Sequence, residues 1–152
     1  MVRLLYSLAY TDFVPILGAG GYQLSNPSVL DMMALRASLE TFNKTNITAL
    51  REKSIALTGY LEYVLQPLVD QGHFTIITPR DPNERGAQLS LYFDQGVMEE
   101  VYDKLIQRGI ICDDRKPSVI RVSPAPLYNT FEEVWEFVIV LREVLAEVKS
   151  EK

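Results

Sequence analysis

A forked cation among apolar neighbours is the group in this chain best suited to capture an anion. Arg121 stands in the run VIRVSPAP, Val119 to Pro126, where a guanidinium can hold a carboxylate through two parallel N–H bonds. The same spacing fits an ordinary salt bridge to a glutamate of this chain, and on spacing alone that plainer reading stands first. The second place is Ser25-Asn26-Pro27, where side-chain oxygens precede a helical pattern. The free N–H groups of a helix start there could bind an anion such as phosphate. A simple helix cap accounts for the same residues.

Other reactive groups point to less. His73 is the only histidine and has no orienting partner visible in sequence, so it reads as a solvated turn residue rather than a catalytic base. Cys112, the only cysteine, sits in an apolar run and reads as a core thiol rather than a nucleophile. A lone cysteine also excludes an internal disulfide and a cysteine-based metal cluster. The acidic pairs Glu99-Glu100 and Glu132-Glu133 fall early in expected helices, where the dipole favours carboxylates. The GAGG run, Gly18 to Gly21, lacks the strand-then-helix context of a nucleotide fingerprint and reads as a tight turn.

The elements that must position these residues follow from hydrophobic period. A helix is expected from Asn26-Pro27, with Asn26 as its N-cap, through Phe42. The polar run Asn43 to Asn46 breaks it and caps a long second helix whose apolar stripe runs from Leu50 to Leu68. Gly59 inside that helix is expected where another element packs closely. Strands are expected over Phe74 to Thr78, Gln88 to Phe93, Ile110 to Cys112 and Val119 to Val122. A helix from Val97 stops at Gly109, and Thr130 with Glu133 forms a capping box opening the last helix. Its expected stripe is Phe131, Val134, Trp135, Val138, Leu141, Leu145 and Val148. The order α-α-β-β-α-β-β-α describes an α+β domain with a mostly antiparallel sheet and packed helices.

Composition bounds the function. At 152 residues the chain suits one domain with a real core. With 47% hydrophobic and 23% charged residues it is an ordinary globular composition. The net charge of -5 and the scatter of its cations offer no basic stripe, so nucleic acid is a poor partner. Met1 to Tyr10 is apolar, but Asp12 and Pro15 end it well short of the about 20 residues a membrane span needs. No small-residue cleavage site closes it as a secretory signal. No membrane and, by default, a cytoplasmic location are expected.

Five runs carry a family resemblance. YQLSNPSVLD (Tyr22 to Asp31), ALREKSIALTGYLEYVL (Ala49 to Leu65), IITPRDPNERGAQLSLYF (Ile76 to Phe93), RGIICDDRKP (Arg108 to Pro117) and IRVSPAPLYNTFEEV (Ile120 to Val134) resemble kynureninase, in that family's order and spacing. The resemblance covers about Phe13 to near the C-terminus. It implies the small C-terminal domain of the pyridoxal-phosphate (PLP) dependent aminotransferase-like fold over 26–152, with 1–25 a connecting remnant of a large domain. It implies a hydrolase of tryptophan catabolism, the kynurenine pathway and NAD biosynthesis. That enzyme cleaves L-kynurenine or 3-hydroxy-L-kynurenine to anthranilate or 3-hydroxyanthranilate and L-alanine, as a homodimer. By the same resemblance Asn26 reaches the cofactor phosphate and the substrate ring across the dimer interface. Ser25 lies beside the substrate, and Arg121 holds the substrate's α-carboxylate.

The family's large domain supplies the Schiff-base lysine and the aspartate paired with the pyridine nitrogen. None of the six lysines here, Lys44, Lys53, Lys104, Lys116, Lys149 and Lys152, sits in the aromatic context the family uses. No catalytic residue is therefore expected in this chain, and PLP is not expected to be held covalently by it. The expectation is a truncated kynureninase fragment, inactive alone. The alternative is a non-catalytic remnant that pairs with a full-length kynureninase subunit.

Overall fold

The computed structural model describes residues 14–150. Met1 to Tyr10 and Phe13, and Lys152 at the other end, lie outside the described residues. By compactness the chain divides into two units, Met1–Asn43 and Lys44–Lys152. The domain boundary expected at 25/26 is one of ancestry and remains a proposal.

In the first unit the glycine run forms a short 3-10 turn, Ala19–Tyr22, as expected of a tight turn. A side chain at Gly21 would place its Cβ 2.3 Å from the Ile16 carbonyl oxygen, so glycine is required there. Helix α1 spans Val29–Phe42 and is capped by Ser28, whose Oγ accepts from the Asp31 N–H. This corrects the expected start at Asn26. Pro27 biases the residue before it toward extended backbone, and Ser28 then supplies the cap with Asp31 in the first helical turn. All fourteen residues of α1 are exposed, apolar ones included.

The second unit holds the core. Asn46 caps helix α2, Ile47–Asp70, through its Oδ1, which accepts from the Ala49 N–H at 2.9 Å. Leu57, Leu61, Leu65 and Leu68 recur at helical spacing and are buried. Gly59 has no heavy atom within 4 Å of where a Cβ would stand, so the close packing expected there is absent. Strand β1, Thr75–Ile76, pairs with β2, Leu89–Tyr92. The loop between them is fastened to α2: Thr58 Oγ1 donates to the Ala87 carbonyl at 3.2 Å, and Arg51 donates to the carbonyls of Pro82 and Arg85.

Helix α3, Met98–Gln107, ends at Gly109, whose φ of 80° is the left-handed conformation glycine tolerates. The N–H of Ile110 then donates to the Leu105 carbonyl and that of Gly109 to Ile106, both at 3.0 Å, closing the helix end. The third strand differs from expectation because of this closure. Ile110 to Cys112 is not a strand: Ile110 is committed to the helix end, Ile111 is exposed, and Ile110 and Cys112 pack on the core. Strand β3 is instead Asp113–Arg115, hydrogen-bonded to β4, Val119–Val122.

The sheet has the order β1-β2-β4-β3, every neighbour antiparallel. Helix α4, Phe131–Ser150, completes the layer that packs with α2 and α3 over one sheet face, around Leu89, Leu91 and Ile120. The buried stripe of α4 includes Phe137 and Val144. Phe131 and Trp135, expected inside, are exposed at its edge. Phe131 there meets the Tyr60 ring edge-on at 5.5 Å. Among the described residues no helix is long and apolar enough to cross a membrane.

Candidate functional site

Strand alternation decides where Arg121 points. Its neighbour Ile120 is fully buried and pairs with Leu91, so residues one step away face the other side of the sheet. Arg121 pairs with Ser90 on β2 and Asp113 on β3, which sets Ser90, Arg121 and Asp113 in one row on that outward face. The Arg121 side chain is 32% exposed and that of Asp113 47%. Both Nε and Nη2 of Arg121 donate to Asp113 Oδ2. Arg115 Nη2 lies 3.1 Å from the same oxygen.

The plainer sequence reading, a salt bridge within the chain, is thus present, but its partner is an aspartate rather than a glutamate. Sequence reasoning missed Asp113 because it ended the strand at Cys112 and left Asp113 between two strands. The available signal was the hairpin itself, whose register sets Asp113 directly across from Arg121. Asp113 takes the Nε–Nη2 edge of the planar guanidinium. Arginine has five N–H donors in a rigid fork, so the Nη1–Nη2 end remains geometrically distinct from the edge Asp113 uses.

Ser25 and Asn26 belong to the first compact unit and Arg121 to the second. Ser25 and Asn26 are both exposed, Ser25 at a bend, just before the α1 cap. Ser25 Oγ lies 3.5 Å from the Asn26 carbonyl oxygen. Because Ser28 caps α1, the Asn26 side chain is released from the helix-capping role that sequence alone favoured.

Other candidates carry no chemistry. An open cleft of about 310 Å3 lies between Gly109 to Cys112, Val122 to Pro124 and the start of α4. Burial pushes the Cys112 thiol within it up to about 11, which leaves almost no thiolate at neutral pH. Glu133 in the same cleft is tied into the capping box with Thr130. The His73 imidazole is held below its ordinary value by burial and then by Lys149. The described residues contain no group of three or more potential metal ligands.

Residues 50–141 match the family model described as kynureninase C-terminal domain. Kynureninase 1 of Emericella nidulans is 52% identical over 143 residues, covering 92% of this chain and 29% of that protein. Kynureninase of Coccidioides immitis is 50% identical over 148 residues, covering 93% of this chain and 30% of that protein. The chain therefore spans about 29% of the length of the curated relatives it matches. Among solved structures, a lysine aminotransferase from M. tuberculosis in the internal aldimine form superposes with a TM-score of 0.61 at 23% identity, covering 78% of this chain and 26% of that one. A NifS-like protein gives a TM-score of 0.55 at 22% identity, covering 87% of this chain and 38% of that one. These two likenesses show the aminotransferase-like α+β fold. The family match over residues 50–141, with relatives half-identical across nearly all of the sequence, shows that the chain belongs to the kynureninase family.

Proposed function

We propose that this chain is the C-terminal part of a kynureninase and contributes the clamp for the substrate's α-carboxylate. The reaction would be hydrolysis of L-kynurenine or 3-hydroxy-L-kynurenine to anthranilate or 3-hydroxyanthranilate and L-alanine. Its place would be cytoplasmic tryptophan catabolism toward NAD, in a homodimer. The observation that carries this reading is the Arg121 guanidinium, about one-third exposed on the outward face of the sheet with one edge bound to Asp113. Arg121 would take the carboxylate on its remaining fork. Asn26 would contact the cofactor phosphate and the substrate ring, with Ser25 beside the substrate.

When bound, PLP supplies the electron sink for the cleavage. The described residues do not by themselves fit a PLP site. A lysine that bonds to the cofactor needs a depressed pKa. Lys116 moves the other way, raised mainly by its hydrogen bond to Glu99, with Nζ 2.8 Å from that carboxylate.

Titration of the chain with L-kynurenine, read from the arginine side-chain signals in nitrogen-15 NMR, tests the clamp. Arg121 signals should move, and Arg121→Lys should weaken binding about tenfold or more, because it removes a charge-assisted fork while leaving the thermal midpoint in place. Normal binding by a variant that melts early would make Arg121 structural. The second reading is a non-catalytic remnant paired with a full-length kynureninase subunit, favoured by the exposed apolar residues of α1. Co-elution with, or inhibition of, a full-length kynureninase would support it.

A further inference from the structure

We infer that Asp113 is the positioning residue for the Arg121 clamp: it orders the guanidinium side-on and leaves the end-on fork to the incoming carboxylate. This rests on the reading of Arg121 as a carboxylate clamp. An arginine side chain is rich in rotamers, and at 32% exposure the core packing cannot hold it still. Something on the sheet must therefore fix its plane. Asp113 is placed to do so by register, directly across the β3–β4 ladder, where paired side chains on one face lie within contact. It receives both Nε and Nη2 of Arg121 on a single oxygen, which fixes the plane of the guanidinium as well as its position.

The charge count favours positioning over quenching. Arg115 contacts the same Asp113 oxygen, so two guanidinium groups surround one carboxylate and the cluster keeps one net positive charge. The neighbouring Asp114 does not share this face, since it pairs with buried Ile120. An arriving carboxylate therefore still meets a positive site.

The test uses the whole chain labelled with nitrogen-15 arginine and has a ligand-free arm and a ligand arm. Without ligand, the Arg121 Nε–H should exchange slowly with water, and both Asp113→Asn and Asp113→Ala should speed that exchange. With L-kynurenine, both variants should weaken binding about fivefold, the loss expected when one rotamer-rich side chain must be ordered on binding. Their thermal midpoints should match the parent chain. Exchange that is already fast in the parent, or unchanged in the variants, overturns the positioning role. So does tighter binding by the variants, which would make Asp113 a competitor while Arg121 stays the clamp. If instead Arg121→Lys binds as the parent does, or the parent does not bind, the clamp itself fails and Asp113 has nothing to position.

Discussion

Arg85, in the loop between β1 and β2, places Nη1 2.7 Å from the Glu62 carboxylate on α2, with its side chain 5% and that of Glu62 15% exposed. Arg85 also donates to the Pro79 carbonyl at 3.2 Å. The pair joins the long loop ahead of β2 to the helix that carries the core leucines, and β2 in turn pairs with the strand that holds Arg121.

Removing one partner of so covered a pair leaves the other charge uncompensated. Glu62→Ala should cost about 3 kcal/mol in urea unfolding. Arg80 also reaches Glu62, at 3.1 Å, but is 77% exposed, so Arg80→Ala should cost less than about 1 kcal/mol. Equal losses would show that burial does not separate the two contacts.

The capping box makes a pH prediction. The Glu133 carboxylate accepts from the Thr130 N–H at 2.8 Å, and Thr130 Oγ1 accepts from the Glu133 N–H at 3.2 Å. The Thr130 N–H, then the Asn129 amide, hold the Glu133 carboxyl below its usual range. A depressed folded value means the contribution is complete above the unfolded carboxyl value and is lost as pH falls through the folded one. Thr130→Ala should cost about 1 kcal/mol at neutral pH. Between pH 6 and pH 3, Glu133→Gln should lose less stability than the parent chain, and parallel curves would rule the linkage out.

Cys112 should behave as a core thiol. With burial pushing it up to about 11, its alkylation by iodoacetamide near pH 7.5 should be on the order of a hundredfold slower in the folded chain than in urea, because only the thiolate reacts. Equal rates would mean that the thiol is freely reactive in the fold.

Elements whose ends are set by local chemistry are legible in the sequence. Asn46 and the Thr130–Glu133 box start α2 and α4, and Gly109 stops α3. The alternation of Leu89 and Leu91 against Ser90 and Tyr92 reads directly as one buried face. What depends on competition or on pairing is less legible. Ser28 outcompetes Asn26 for the α1 cap, and Ile110 is claimed by the α3 closure, which moves β3 three residues on. Arg121 reads in the sequence as a forked cation with an ordinary salt bridge as its plainer role, but its partner Asp113 comes from hairpin register and not from any run of neighbouring residues.

The N-terminal unit should drive association. Leu30, Met33 and Leu35 on α1 are each more than half exposed, as is Val14 before it. Patches of that kind promote contact with other chains. Sedimentation should show concentration-dependent self-association, relieved by Leu30→Ser with Met33→Ser. A dilution-stable monomer would count against an uncovered surface.

The chain alone should not turn over substrate. The cleavage needs an electron sink joined to the substrate, and the protein must bind and tune that group. Arg121 offers a fork for a carboxylate, and Asn26 and Ser25 offer exposed polar side chains. None of these can bond covalently to a carbonyl cofactor. Among the lysines, Lys116 is fixed to Glu99 with its proton held more tightly than usual, while Lys44 and Lys149 are exposed. An exposed lysine can react adventitiously with PLP, so colour proves nothing. The discriminating assay incubates purified chain with PLP and 3-hydroxy-L-kynurenine, and measures 3-hydroxyanthranilate and alanine alongside mass-mapped labelling after reduction. Scattered substoichiometric labelling and no product are expected. Stoichiometric labelling of one lysine together with turnover would overturn the claim and place the missing chemistry in this chain.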